Sequence, residues 1–270
     1  MILLAVLCGM IMPALNSLAG NEPSIYHQHD DYLCIYETAS YNDAVNDAVQ
    51  VLKTMVTIKE LQISSNRGDE ILIEGIQAGF CKQLKTLVFA GLLSAKHLES
   101  LMSNLPELNA LYFYQRVNAD AIDGLVAAVK AGYGKFLRAV WLDNGNVSAI
   151  QVQSIVENCK ELKEILLSGS ASVAGLVSVV QAGYGKDLQD ICLQCTDCSA
   201  MDIQVIMKNC PNLNEFSLYE CQAGIAGLLM ALHACYGKQL KEINIFELKP
   251  TAQELDALKQ ALPSQCKIVA

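Results

Sequence analysis

The sequence predicts an α/β solenoid, a stack of similar strand–helix units, and three observations predict it. One phrase occurs four times, as Ala78-Gly-Phe-Cys-Lys-Gln-Leu84, Ala131-Gly-Tyr-Gly-Lys-Phe-Leu137, Ala182-Gly-Tyr-Gly-Lys-Asp-Leu188 and Ala234-Cys-Tyr-Gly-Lys-Gln-Leu240, with starts about 52 residues apart. A Leu-x-x-Leu-x-Leu spacing returns at about half that interval from Ile58 onward. Between these lines lie helical segments of two alternating types, so two units make the longer period. Such units bury their apolar faces on their neighbours rather than round one central core.

Composition agrees. The chain has 270 residues, of which 52% are hydrophobic and only 17% charged, so disorder is excluded and a large core is available. The net charge is -9 and Lys and Arg form no run, which argues against nucleic acid as a partner. A basic protein or peptide is the electrostatically easier ligand.

Residues 1–19 read as a candidate signal peptide. Met1 to Leu15 carry no charge, and Ser17-Leu18-Ala19 offers a small-x-small cleavage pattern, although a positive n-region is missing. On this reading the protein is secreted or otherwise exported; the competing reading is an apolar helix capping the solenoid of a cytoplasmic protein. The run is too short for a stable membrane span.

Residues 20–54 read as an N-terminal capping unit. In it Tyr32 to Glu37 alternates like a strand, and residues 43–55 place Val45, Val49 and Leu52 on one helical face. Residues 55–270 form the solenoid, about nine repeats in alternating pairs. Each strand has two inward apolar positions at period two, the first being Leu61, Leu87, Leu111, Val140, Ile165, Ile191, Phe216, Ile243 and Ile268. One helix type starts with Ser or Thr before Ala, at Ser94, Ser148, Ser199 and Thr251. Ser148 with Gln151 and Thr251 with Glu254 make capping boxes. The other type is rich in Gly and Ala and ends at Gly79, Gly132 or Gly183.

The line Cys210-Pro-Asn-Leu213-Asn-Glu-Phe216-Ser-Leu218-Tyr-Glu-Cys221, together with its sister lines at Cys159, Cys81 and Leu105, resembles the leucine-rich-repeat superfamily over about 215 residues. The cysteines resemble its cysteine-containing subclass, and the two alternating repeat types are similar to ribonuclease-inhibitor-like proteins. The resemblance implies a curved solenoid with parallel strands on the concave face and helices on the convex face. It also implies a cytosolic adaptor or inhibitor as an alternative role, either ribonuclease-inhibitor-like or resembling a ubiquitin-ligase substrate receptor. The F-box of such receptors has no counterpart between Gly20 and Val51.

Motifs that carry chemistry are few. Cys192, Cys195 and Cys198 admit zinc, a disulfide to Cys221 or ordinary thiols, and no matched fourth ligand lies nearby. Cys81, Cys159 and Cys210 are core positions. His27 and His29, with Asp31 or Cys34, have metal-ligand spacing on what reads as a polar entry loop. Arg67-Gly-Asp69 spells an integrin-type tripeptide, and Asn146-Val-Ser148 a glycosylation sequon. No catalytic set, P-loop or dinucleotide fingerprint emerges. The expectation is a non-enzymatic binding module without metal or cofactor; a hydrolase with an unseen site is the alternative outside binding.

On this register three residues per repeat face the concave surface. The first column reads Glu60, Thr86, Ala110, Ala139, Glu164, Asp190, Glu215, Glu242: no basic residue, and four carboxylates in succession. Neighbouring strands lie about 4.8 Å apart, where like charges repel by roughly 1 kcal/mol even in water. Lys163 and Lys241 are adjacent in sequence and offer partial relief. The other columns carry Tyr112, Tyr114, Trp141, Asp143, Gln194, Tyr219, Asn244 and Phe246, and the register puts the single Trp on the exposed inner surface. These residues, with the four carboxylates, are the expected ligand face.

Overall fold

The period-two apolar pairs become strands, and each strand leads into a helix that covers them. The computed structural model describes residues 24–29, 32–36, 58–64, 82–90, 93–114, 118–143, 147–194, 197–221 and 223–269, together with 73 and 75. The candidate signal peptide, the 43–55 helix, Arg67-Gly-Asp69, Asn146, Cys81 and Cys195 lie outside the described residues.

One sheet runs in chain order through β1 (Ser24–His29), β2 (Tyr32–Tyr36), β3 (Glu60–Ser64), β4 (Thr86–Ala90), β5 (Ala110–Phe113), β6 (Ala139–Leu142), β7 (Glu164–Ser168), β8 (Asp190–Gln194), β9 (Glu215–Tyr219), β10 (Glu242–Phe246) and β11 (Lys267–Val269). Among the described residues only the β1–β2 pair is antiparallel, and from β2 onward each described pairing is parallel. The strand register matches the sequence expectation throughout. Leu61, Leu87, Leu111, Val140, Ile165, Ile191, Phe216, Ile243 and Ile268 stand side by side, and Leu33 joins them from β2. The expectation of an entry loop at His27 and His29 is corrected: the segment is a strand, with an irregularity between the two histidines. Its hairpin with β2 supplies the ladder partners that a free strand edge lacks.

The helices between strands are α1 (Ala95–Asn104), α2 (Ala119–Lys130), α3 (Ala149–Asn158), α4 (Ser170–Gln181), α5 (Ala200–Asn209), α6 (Gly224–His233) and α7 (Ala252–Ala261). The Ser/Thr type heads the odd-numbered ones. Ser94 accepts from the His97 backbone N–H, and Ser148–Gln151, Ser199–Asp202 and Thr251–Glu254 close full capping boxes. The Gly/Ala-rich type, α2, α4 and α6, has no side-chain cap and instead carries a contact glycine. A Cβ on Gly124 or Gly175 would stand 2.4 Å from the carbonyl oxygen of Ala95 or Ala149, and one on Gly227 2.7 Å from Ile203 Cβ. The pairs α1–α2, α3–α4 and α5–α6 therefore approach closely, which gives the two-unit period a physical cause.

The recurring phrase is the exit from these paired helices. In Ala131–Leu137, Gly132 and Gly134 have φ of 87° and 75°, and the Tyr133 N–H returns to the Ala128 carbonyl at 3.0 Å. Two left-handed residues flanking one tyrosine turn the chain from helix to strand. Strand spacing of about 4.8 Å and helix spacing of 8–10 Å bend the stack, with strands inside the curve. The core between the layers includes Leu142, Leu167, Leu193, Leu218, Cys159 and Cys210, all buried.

Candidate binding face

The face of the sheet away from the helices divides into two regions. Over β4 to β7 it is apolar: Val88, Ala110, Tyr112, Ala139 and Trp141 form a cluster separate from the main core, with Tyr114 and Leu166 against it. Trp141 packs on Tyr112 at 4.5 Å between ring centroids and meets Tyr114 edge-on at 5.9 Å. Its indole Nε1–H donates to Glu164 Oε1 at 2.5 Å. The expectation of an exposed tryptophan is thereby corrected: Trp141 and Tyr112 are each 7% exposed, because rings on adjoining strands of a concave sheet close over one another. Glu164, 9% exposed, is tied to that cluster.

Over β8 to β11 the face is polar and partly open. Asp190, Glu215 and Glu242 stand side by side and continue the line from Glu164. The row does gain one basic member, which the sequence column omitted: Lys267 aligns with Glu242 and pairs with it at 3.7 Å. Among the described residues no ion pair joins Lys163 or Lys241 to the row. Asn244 is 1% exposed and forms the floor, its Nδ2 donating to Glu215 Oε1 at 2.9 Å and to Ser217 Oγ at 3.0 Å. Tyr219 and Phe246 stack at 4.7 Å and 23°, half-buried, along the exit side of the same strands. Gln194 is paired in register with Tyr219, and Asp143 lies half-buried just after β6.

The row is only partly relieved, by Lys267 and by hydrogen bonds. Burial pushes the Asp190 carboxyl up to about 8, and the charges of Glu215 and Glu164 on either side add to it. Glu164 is raised by burial, only partly offset by the Trp141 hydrogen bond, and Glu215 by burial and by Glu242. Burial alone raises Asp143, and Glu60 farther along the column. At about 8, the Asp190 carboxyl lies within reach of protonation in the neutral range.

Of the cysteine candidates, Cys198 is bonded to Cys221, linking the turns after β8 and β9. Cys192 is a half-buried free thiol on the polar region, raised by burial and by Asp190. No metal-binding group of His, Cys, Asp and Glu occurs among the described residues. Among them also, no helix is long and apolar enough to cross a membrane.

No protein-family profile matches the sequence, and no curated protein does. Solved structures do. A Bacteroides fragilis protein superposes with a TM-score of 0.58 at 16% identity, covering 86% of this chain and 72% of its own. The leucine-rich repeat-containing protein LegL7 of Legionella pneumophila gives 0.57 at 15%, with 86% and 79% covered. A chain of the yeast Rad7–Elc1 complex gives 0.52 at 14%, with 83% and 65% covered. At these identities the likeness concerns the fold alone, and it agrees with the strand register: this chain has the fold of a leucine-rich-repeat solenoid.

Proposed function

We propose that the protein is a non-enzymatic binding module that grips a cationic segment of a protein or peptide on the polar half of its concave face. The observation that carries this reading is the row Asp190–Glu215–Glu242, three adjoining carboxylates of which only the last has a basic partner among the described residues. Stability disfavours such a row, and a Lys or Arg from outside relieves it. The stacked Tyr219 and Phe246 stand at the other ends of the same strands, where a second cationic side chain of an extended peptide finds aromatic faces. The bonded Cys198–Cys221 pair supports placement in an oxidising compartment, in line with the exported reading of residues 1–19. Alkylation of the unfolded protein before and after reduction, read at Cys198 and Cys221 by peptide mapping, tests that part: labelling of this pair only after reduction agrees with it, and labelling of both beforehand contradicts it.

Binding and protonation are coupled at Asp190. A cation that lowers its pKa displaces a proton, so affinity for an arginine-rich peptide rises as pH goes from 6 to 8. Calorimetry of that peptide in two buffers of different ionisation enthalpy reads the released proton directly. Identical apparent enthalpies in the two buffers, with binding intact, contradict a site centred on Asp190.

A further inference from the structure

The described helices between β4 and β11 end at one edge of the sheet, the edge where the strands begin, and the sequence gives that edge a composition of its own. Among the described residues, the turns entering β4 to β11 carry nine basic side chains, among them Lys135, Arg138, Lys186 and Lys238, against three acidic ones, Glu107, Glu161 and Asp187. The opposite edge is the reverse: the described turns leaving β6 to β10 carry Asp143, Asp197, Glu220 and Glu247 against Lys249. A chain of net charge -9 thus has one positive edge, invisible as a run because its members lie a repeat apart. The recurring phrase builds it. Its left-handed turns hold Tyr133 and Tyr184 outward, 40% and 38% exposed, beside Phe136 at 50%. Lys135 lies over the Phe136 ring and Lys160 over Tyr184, each at 4.9 Å. No other exposed large hydrophobic of the described residues is aromatic.

We infer that this edge docks on an anionic lipid surface. Successive strands make the edge a line rather than a groove, so it meets a plane along its length. Lysines set at about 5 to 10 Å intervals match a field of anionic headgroups, and tyrosine and phenylalanine suit the headgroup boundary. A nucleic acid fits less well, because the edge offers no channel and its basic residues are nearly all Lys rather than Arg. The concave face stays free while the edge is docked, so the two surfaces serve separate partners.

Co-sedimentation of the full chain with phosphatidylserine–phosphatidylcholine vesicles, beside vesicles of phosphatidylcholine alone, tests the inference. Binding only to the anionic vesicles, weakened at high salt, supports it. Replacing Lys135, Lys186 and Lys238 together with Gln lowers the partition coefficient about a hundredfold, at roughly fivefold per lysine. Tyr133→Ser with Tyr184→Ser lowers it further, and all five changes leave the melting temperature in place. Neutralising Asp190, Glu215 and Glu242 does not weaken vesicle binding, which keeps this test separate from the concave one. Equal binding to both vesicle types, or undiminished binding by the triple-Gln protein, overturns the inference. So does binding to an RNA or DNA oligonucleotide, or lysine-dependent self-association, without vesicle binding.

Discussion

The two halves of the concave face share one fold and one register, yet they treat their side chains in opposite ways. From β4 to β7 the face satisfies itself: rings pack on rings, and the one indole N–H has a carboxylate. From β8 to β11 carboxylates stand beside carboxylates above a hydrogen-bonded Asn244 floor. The difference teaches that facing the concave side does not by itself make a residue a ligand contact. The first half is a second, small core; the second half is a surface whose adjoining carboxyls are only partly relieved.

Substitutions break or sharpen that contrast. The largest expected effect is on Trp141→Ala, which should cost about 3–5 kcal/mol in equilibrium denaturation, the range for a buried aromatic. An unchanged midpoint would mean that the ring is not core and that the halves do not differ. Gly175→Ala should cost about 1–3 kcal/mol, since the added carbon meets the Ala149 carbonyl and the helix pair must separate. Thermal melts of that variant beside an exposed Ala substitution on α4 measure it. Tyr219→Ala, half-exposed, should cost only about 0.5–1.5 kcal/mol, the worth of a stacked pair, in sharp contrast to Trp141.

Asp190→Asn carries a sign that separates stability from binding. A folded-state acid raised to about 8 binds its proton more tightly in the folded state than in the unfolded one, so wild-type stability falls as pH rises from about 4 to 8. The Asn variant lacks that slope. It should melt at nearly the wild-type temperature at pH 4 and above it at pH 8, while binding a cationic peptide less tightly. A variant that melts lower at pH 8 would show that the charge is relieved in the folded protein.

Strand register and odd-helix caps were legible in the sequence because both are local: period-two pairs recur at near-constant spacing, and a capping box spans four residues. What escaped the sequence depends on repeats meeting. The register gave the face of Trp141 but not its burial, which needs Tyr112 and Tyr114 from the preceding repeat and Glu164 from the next. Lys267 precedes the inward Ile268 and so belongs to the same column, a place the register itself made legible. The strand nature of Ser24–His29 was hidden by polar side chains and comes from pairing with β2. The Cys198–Cys221 bond stood among the alternatives, and spacing alone did not choose it. Of the twelve expected contact residues, Tyr112, Trp141, Glu164 and Asn244 prove buried and support their neighbours, while Asp190, Gln194, Glu215, Tyr219, Glu242 and Phe246 line the partly open half.

The central claim is that this open half, rather than the protein's overall negative charge, recognises a cation. Two triple variants of equal charge test it. One changes Asp190, Glu215 and Glu242 to Lys; the other changes Glu99 on α1, Glu247 near the other edge and Asp256 on α7 to Lys, which leaves the Thr251–Glu254 capping box intact. Glu164 is left alone because it holds the Trp141 indole. Each is titrated with the same arginine-rich peptide by fluorescence anisotropy at physiological salt, where long-range effects of net charge are largely screened. The account predicts a loss of at least about tenfold in affinity for the concave variant, chiefly through association rate, and little change for the other. Equal losses in both variants would contradict it.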